Sequence, residues 1–290
     1  MTLNAMTPRK RGSMSEARDV GSVGDHYGRG RVLERIFEAL RAAGKEPDAL
    51  TADDLSSIDQ LHARGRVATL ELARLAGISS GMRVLDVGGG LGGPARTLAS
   101  EFGCAVEVLD ITEELCRAGE ALTEASGLGN LVSFQHGSAL EMPYPDASFD
   151  IAWAQHTSMN IANKERLYKE IHRVLRPGGR LALHEILAGP TSPIYLPVPW
   201  ARHPELDHPR PPDEARSLIR DAGFKELAWI DDTAPTLRWY EKRLAPMSGE
   251  PPPLGLHLVL GDDFDEMLRN QVFNLSEGRI AVIQALFGRP

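Results

Sequence analysis

Two acids and a run of glycines mark where this chain could do chemistry. Asp86 stands two residues ahead of Gly88, and Gly89, Gly90, Gly92 and Gly93 follow it. Before them, Met82, Val84, Leu85 and Val87 form the apolar run of a strand covered on both faces. After them, Pro94 suits the first turn of a helix, where its missing N–H breaks no bond, and Arg96, Leu98, Ala99 and Phe102 continue at helical spacing. A strand, a glycine turn and a helix start leave N–H groups free for a ligand, and bare backbone lets it lie close. A second strand, Val106–Asp110, ends in an acid placed to hold both hydroxyls of a ribose.

The glycine spacing alone admits more than one ligand. Gly88-x-Gly90-x-x-Gly93 satisfies the fingerprint of a dinucleotide site, whose glycines admit a pyrophosphate. Asp86 argues against that ligand, because its charge would repel the pyrophosphate. S-adenosylmethionine carries no phosphate but does carry an ammonium and a sulfonium, so an acid beside the turn suits it. Asp110 fits either nucleoside and does not decide between them.

With 290 residues and 42% hydrophobic content the chain can bury a full core. Its net charge of -8, from 32 basic and 40 acidic residues, opposes general nucleic-acid binding, which needs a basic face. The two cysteines, Cys104 and Cys116, offer neither a disulfide framework nor metal-ligand spacing. No apolar run is long enough to span a membrane. The expectation is a cytoplasmic protein with reduced thiols, no membrane or nucleic-acid partner, and a homodimer as a possible assembly. Residues 1–24 read as a disordered leader without the apolar core of a secretory signal, and Met6 and Met14 are alternative starts.

Residues 25–80 read as a helical segment and 81–290 as the main domain. Val32, Ile36 and Leu40 recur at helical spacing, and a second helix is expected to be capped by Asp53 or Asp54. Helix resumes through Val67, Leu70 and Leu75 to Gly77. Such a segment can either lid a cleft or merely cover one face of a sheet, and His62 belongs to whichever role it plays. Downstream, strands at 131–136, 149–154 and 180–187 alternate with helices, with Pro177-Gly178-Gly179 as a tight turn before the last. That alternation, with two further strands expected at 225–230 and 280–287, predicts an α/β fold, a doubly wound and mostly parallel sheet of seven strands. Ligands in such sheets sit beyond the carboxyl ends, which here carry Gly88, Asp110, Ser138, Gln155, His156 and Glu185. The proline-rich stretch at about 188–212, with Tyr195 and Trp200, is expected to hang over the cleft as a cap. His203, Asp207 and His208 lie within it, but their spacing is not that of a metal site, and no metal is expected.

The motifs in order resemble those of class I S-adenosylmethionine-dependent methyltransferases. They are Val84 to Gly92, Asp110, Gly137-Ser138-Ala139, Ser148-Phe149-Asp150 and Arg173 to Gly179. Outside them, Asp59-Gln60-Leu61-His62, Gly92 to Arg96 and Pro197 to Trp200 are similar to the sarcosine/dimethylglycine N-methyltransferase group and its small-molecule relatives. The resemblance implies a Rossmann-like fold and methyl transfer to a small molecule, at an amine nitrogen or else at oxygen, sulfur or carbon. It implies that Gly88, Gly90 and Gly92 carry the methionine part of the cofactor near Asp86. Asp110 would hold the ribose, Ile111 would lie against the adenine, Ser138 and Ala139 would border it, and Gln155 would bond near the methionine end. At Ser138 the family usually has an acid, and a hydroxyl holds the adenine amino group more weakly. His156 is the candidate base or acceptor contact, or else a residue that fixes its own loop. His62, Met159 and Trp200 are the expected acceptor-binding residues, with plain packing as the other fate open to the tryptophan. His184 and Glu185 alternate along one strand, so only one of them can face the site.

Overall fold

The computed structural model describes residues 26–27, 30–244 and 253–290. The expected leader, and part of the proline-bearing stretch before Gly261, lie outside these. Seven strands form one sheet: β1 (Arg83–Val87), β2 (Ala105–Asp110), β3 (Val132–His136), β4 (Phe149–Gln155), β5 (Leu175–Ala188), β6 (Lys225–Asp231) and β7 (Ile280–Gly288). Their order is β3-β2-β1-β4-β5-β7-β6, parallel from β1 to β5, with β7 antiparallel to both of its neighbours. This is the doubly wound, mostly parallel sheet expected from the strand–helix alternation. The order reverses between β1 and β4, the place where such a sheet opens a crevice beyond its carboxyl ends.

Strand alternation distributes the core between the two faces. Val84, Val106 and Val108 pack against Leu72 and Ala76 of α3 (Gly65–Ala76) and Leu98 of α4 (Gly93–Phe102). Leu85, Val87 and Leu109 point the other way, toward α6 (Lys164–Val174) and α7 (Pro212–Asp221). The helices α1 (Val32–Ala42) and α2 (Ala52–Asp59) join α5 (Glu113–Ala125) in a separate apolar cluster built on Ile36, Leu40, Leu55 and Leu122. Glu114 ties α1 down by accepting the N–H groups of Gly30 and Val32 at 2.9 and 3.0 Å, at a helix start that lacks a side-chain cap. Three more helices, α8 (Thr233–Leu244), α9 (His257–Leu260) and α10 (Phe264–Ser276), complete the far side.

Two local expectations are corrected. The cap of α2 is Thr51, whose hydroxyl accepts from Asp54 N while the Asp54 carboxylate accepts from Thr51 N, a capping box that moves the start ahead of Asp53. Strand β5 begins at Leu175 and not after the Pro177-Gly178-Gly179 turn. Gly178, at φ +76°, makes an irregularity inside the strand, and Arg289 stitches it in by bonding Gly178 N and Gly179 O at 2.9 and 2.8 Å.

The ion pair between α4 and α2 positions the glycine turn. Arg96 Nη2 donates to Asp59 Oδ2 at 2.8 Å and to Leu91 O at 2.7 Å, and both charged side chains are buried. Gly93 fits beneath this contact because a Cβ there would lie 2.3 Å from Asp59 O. Removing one member of a buried pair strands the other charge. Asp59→Ala is therefore expected to lower unfolding stability by about 3–5 kcal/mol in urea titration; an unchanged midpoint would show that the pair does not tie the helices.

Candidate functional site

A cavity of about 510 Å³ opens beyond the carboxyl ends of β1, β2 and β4, a size suited to a small-molecule site. The glycine turn forms one wall. Asp86 lies beneath it, 1% exposed, with Oδ2 free of any hydrogen-bond partner. Burial, with a smaller push from Asp110, raises the Asp86 carboxyl from its ordinary value to about 8. The turn lies so flat on this carboxylate that a Cβ on Gly89 would come 2.6 Å from Asp86 Oδ2. At Gly88, φ is +70° and a Cβ would meet Thr157 Cγ2 at 2.4 Å, so only glycine fits.

Asp110 accepts Gly90 N at 2.9 Å and Thr112 N at 2.8 Å, one on each carboxylate oxygen. These bonds fix the carboxylate at the cavity wall and leave each oxygen a further lone pair for a ligand hydroxyl. Ile111, Ser138 and Ala139 follow along the same wall. Ser138 Oγ accepts Leu140 N at 3.1 Å, which leaves its proton and one lone pair for a ligand. Gln155 reaches the cavity from the end of β4; its Oε1 accepts Thr69 Oγ1 and Trp153 Nε1 at 3.1 and 2.9 Å, while Nε2 has no partner. An unpaired buried carboxylate oxygen and a second carboxylate lining the same cavity fit a nucleoside that carries a cation. S-adenosylmethionine has that chemistry, whereas a pyrophosphate would meet Asp86 unfavourably.

Several expected site residues sit elsewhere. Gly92 does not line the cavity; it caps α4 at φ +75°, and a Cβ there would strike the Phe134 ring at 2.6 Å. Met159 and Trp200 are 2% and 1% exposed and pack together with Val198, Leu206 and Tyr240, away from the cavity. Tyr195 lies at the surface beneath Arg279, 4.1 Å from ring centroid to guanidinium. No residue of 189–211 lines the cavity, so the expected cap is a brace. Asn160 Nδ2 donates to Trp200 O and Leu206 O at 2.7 and 3.0 Å, and His208 N donates to Met159 O at 2.8 Å, which anchors the loop that follows β4. Asp207 accepts the Trp200 indole at 2.9 Å within this brace. Glu185 also lies beneath that loop, accepting Ser158 N at 3.1 Å.

The amino-terminal segment does form a wall, through Tyr27, Asp59, Leu61 and His62. Tyr27 escaped the sequence reading because a lone aromatic ahead of the first helix breaks no pattern. His156 also lines the cavity, at φ +53°, a conformation uncommon outside glycine and held here by His156 N donating to His184 O at 2.8 Å. Its ring centroid lies 4.9 Å from that of His184 and 6.1 Å from that of His62. Burial holds all three imidazoles below their ordinary pKa, with His62 down to about 3, so the cluster is neutral. His184 Nε2 bonds Asp232 Oδ2 at 3.1 Å, and Arg64 Nη1 donates to Asp232 Oδ1 at 2.7 Å. Burial would raise the Asp232 carboxyl, but the bonds from His184 and Arg64 outweigh it and hold it below the usual carboxylate value. Periodicity suggests neither Asp232 nor Arg64 as partners of this cluster, since they come from the end of β6 and the start of α3.

Residues 85–183 match the family described as "Methyltransferase domain". Methyltransferase GfsG of Streptomyces halstedii is 36% identical over 166 residues, 57% of this chain and 58% of that protein. Sarcosine/dimethylglycine N-methyltransferase of Halorhodospira halochloris is 31% identical over 157 residues, 54% and 56% of the two chains. A solved geranyl diphosphate C-methyltransferase from Streptomyces coelicolor has the same fold, with a TM-score of 0.69 at 14% identity over 94% of this chain and 98% of that one. The chain spans about half the length of the curated relatives it matches. Relatives named for nitrogen, oxygen and carbon acceptors all occur among the matches. Among the described residues, no helix is long and apolar enough to cross a membrane.

The raised Asp86 has a measurable consequence. In the empty site at pH 7 its carboxyl is mostly protonated, since its pKa is about 8. An ammonium placed beside it favours the ionised form, so S-adenosylmethionine binding is expected to release a proton and to tighten as pH rises toward 8. Calorimetry in buffers of different ionisation enthalpy reads that proton, and Asp86→Asn should abolish it; binding without proton release would contradict the assignment.

Proposed function

We propose that this chain, whose residues 85–183 match the methyltransferase-domain family, transfers the methyl group of S-adenosylmethionine to a small acceptor without net charge, a hydroxyl being the group its site serves best. The reading rests above all on His156, a neutral imidazole at the cavity wall beside the acid-lined glycine turn. A hydroxyl acceptor must lose its proton as it attacks, and a neutral histidine can take it.

An amine nitrogen of the sarcosine or dimethylglycine kind is what the sequence resemblance implies. Such an acceptor brings its own carboxylate into a cavity that offers it no Lys or Arg among the described lining residues and has Asp110 on its wall. Its apolar lining, including Leu61, Leu140 and Ile161, favours an uncharged body instead. A neutral amine lacking a carboxylate fits the same site and needs the base less.

The cofactor supplies an electrophilic methyl on a sulfonium, and the rest falls to the protein. Asp86 and Asp110 would hold the ammonium and ribose ends of the cofactor when it is bound. Tyr27, Leu61 and His62 cover the cavity from the amino-terminal side and exclude water. The imidazole of His156 accepts the hydroxyl proton as the oxygen–carbon bond forms and the carbon–sulfur bond breaks. Holding the reactants in line supplies up to roughly 7–11 kcal/mol of the barrier reduction.

The test is a screen with methyl-labelled S-adenosylmethionine against neutral phenols and alcohols, alongside glycine, sarcosine and dimethylglycine. Label should pass to a hydroxyl compound, and His156→Gln should slow that transfer by about 10²–10⁴-fold while cofactor affinity stays the same. Label passing only to the amino acids, or an undiminished rate in the variant, would overturn the assignment.

A further inference from the structure

The unexplained feature of the site is a pair of orphaned ring nitrogens. His156 Nε2 and His184 Nδ1 are both buried without a hydrogen-bond partner, on rings whose centroids lie 4.9 Å apart. The two nitrogens do not bond each other as the rings stand, but at that centroid separation a rotation of either ring brings them within hydrogen-bond reach. An N–H and a bare nitrogen would satisfy each other there; two N–H groups or two bare nitrogens would not.

The remaining contacts decide which is which. Asp232 is ionised and accepts only, so His184 carries its proton on Nε2, the atom 3.1 Å from Asp232 Oδ2. The His184 Nδ1 is then bare. Arg64, bonded to Asp232 Oδ1 at 2.7 Å and paired with Glu71 at 2.8 Å, keeps the carboxylate charged and oriented. His62, the third ring, is occupied by its own partners. Its Nε2 lies 3.1 Å from Gly65 O, which can only accept, and 3.1 Å from Thr69 Oγ1. From β7, Gln284 is the residue paired with His184, and its amide reaches toward Glu71.

We propose that Asp232 and His184 are positioning residues that set the tautomer of His156: Asp232 keeps the His184 proton on Nε2, bare His184 Nδ1 draws the His156 proton onto Nε2, and His156 Nδ1 is left bare for the acceptor. The same chain gives the abstracted proton a path. When Nδ1 takes the acceptor's proton, the Nε2 proton can pass to His184 Nδ1, and the positive charge comes to rest beside Asp232. The ionised acid thus acts on the acceptor through two rings, a longer form of the orienting carboxylate of acid–histidine–nucleophile sites. This inference rests on the role of His156 as base.

The tautomers are directly observable. Nitrogen-15 NMR of the full chain, labelled on its nine histidines and bound to S-adenosylhomocysteine, separates protonated from bare ring nitrogens without any acceptor. His156 and His184, assigned through His156→Gln and His184→Asn, should both show a protonated Nε2 and a bare Nδ1. In Asp232→Asn the side-chain oxygen stays with Arg64 and the amide N–H faces His184 Nε2, so both rings should shift to the Nδ1-protonated form. A merely structural role for Asp232 would leave the His156 pattern unmoved, and that result overturns the proposal. If Asp232→Asn does not fold, the unmodified protein still decides, because a His156 protonated at Nδ1 there overturns it equally. The expected tautomers combined with a failed hydroxyl screen would refute the hydroxyl assignment and leave the relay standing.

Discussion

A carboxylate held out of water with one oxygen unpaired is the constraint around which this molecule is built. Asp86 sits at the end of β1 between Val108 of β2 and Trp153 of β4, in the middle of the sheet. Leaving a buried carboxylate unsatisfied costs free energy, and its raised pKa is the sign of that cost. The glycine turn crosses directly over it because no side chain could. The Arg96–Asp59 pair clamps the helix that follows the turn, and Asp110 secures its other side through Gly90 N. The crevice at the strand reversal is therefore acid-floored and rigid before a ligand enters, and a cation beside a nucleoside is what completes it.

The opposite side of the cavity is built from groups that stay neutral. Buried His62 and His184 and half-buried His156 have ring centroids 4.9–6.1 Å apart, and desolvation holds each imidazole below its ordinary pKa. Charge reappears only one layer out, where Asp232 and Arg64 face each other at 2.7 Å. In the proposed reaction a charged ligand end would meet acids on one side, and a reacting acceptor would meet imidazoles on the other, which would separate cofactor binding from proton removal in a single cavity.

How much of this could be read from residues alone follows from which forces leave a periodic trace. The strand–turn–helix at Val84 to Arg96, the acid at Asp110 and the parallel sheet were legible because backbone geometry demands them. His156 was legible through its place at a strand end. Trp200 and Met159 were not, because an aromatic or thioether near a cleft in sequence packs wherever an apolar cluster forms, and here Leu206 and Tyr240 provided one. The proline-rich stretch likewise packs away from the cavity, since Asn160 offers its carbonyls a buried partner beneath the loop it braces. Tyr27, Arg64 and Asp232 reach the site or its histidines from segments far apart in the chain, and only tertiary folding brings them there.

The measurement that reaches the central claim most directly is a pair of calorimetric titrations, S-adenosylmethionine and NADH, on the same preparation. Saturable one-to-one binding of S-adenosylmethionine with no heat from NADH is the expected result, since an ammonium draws Asp86 into its ionised form whereas a pyrophosphate gains no partner there. Binding of NADH with no response to S-adenosylmethionine would contradict it, and would mean that the carboxylate beneath the glycine turn does not select the ligand.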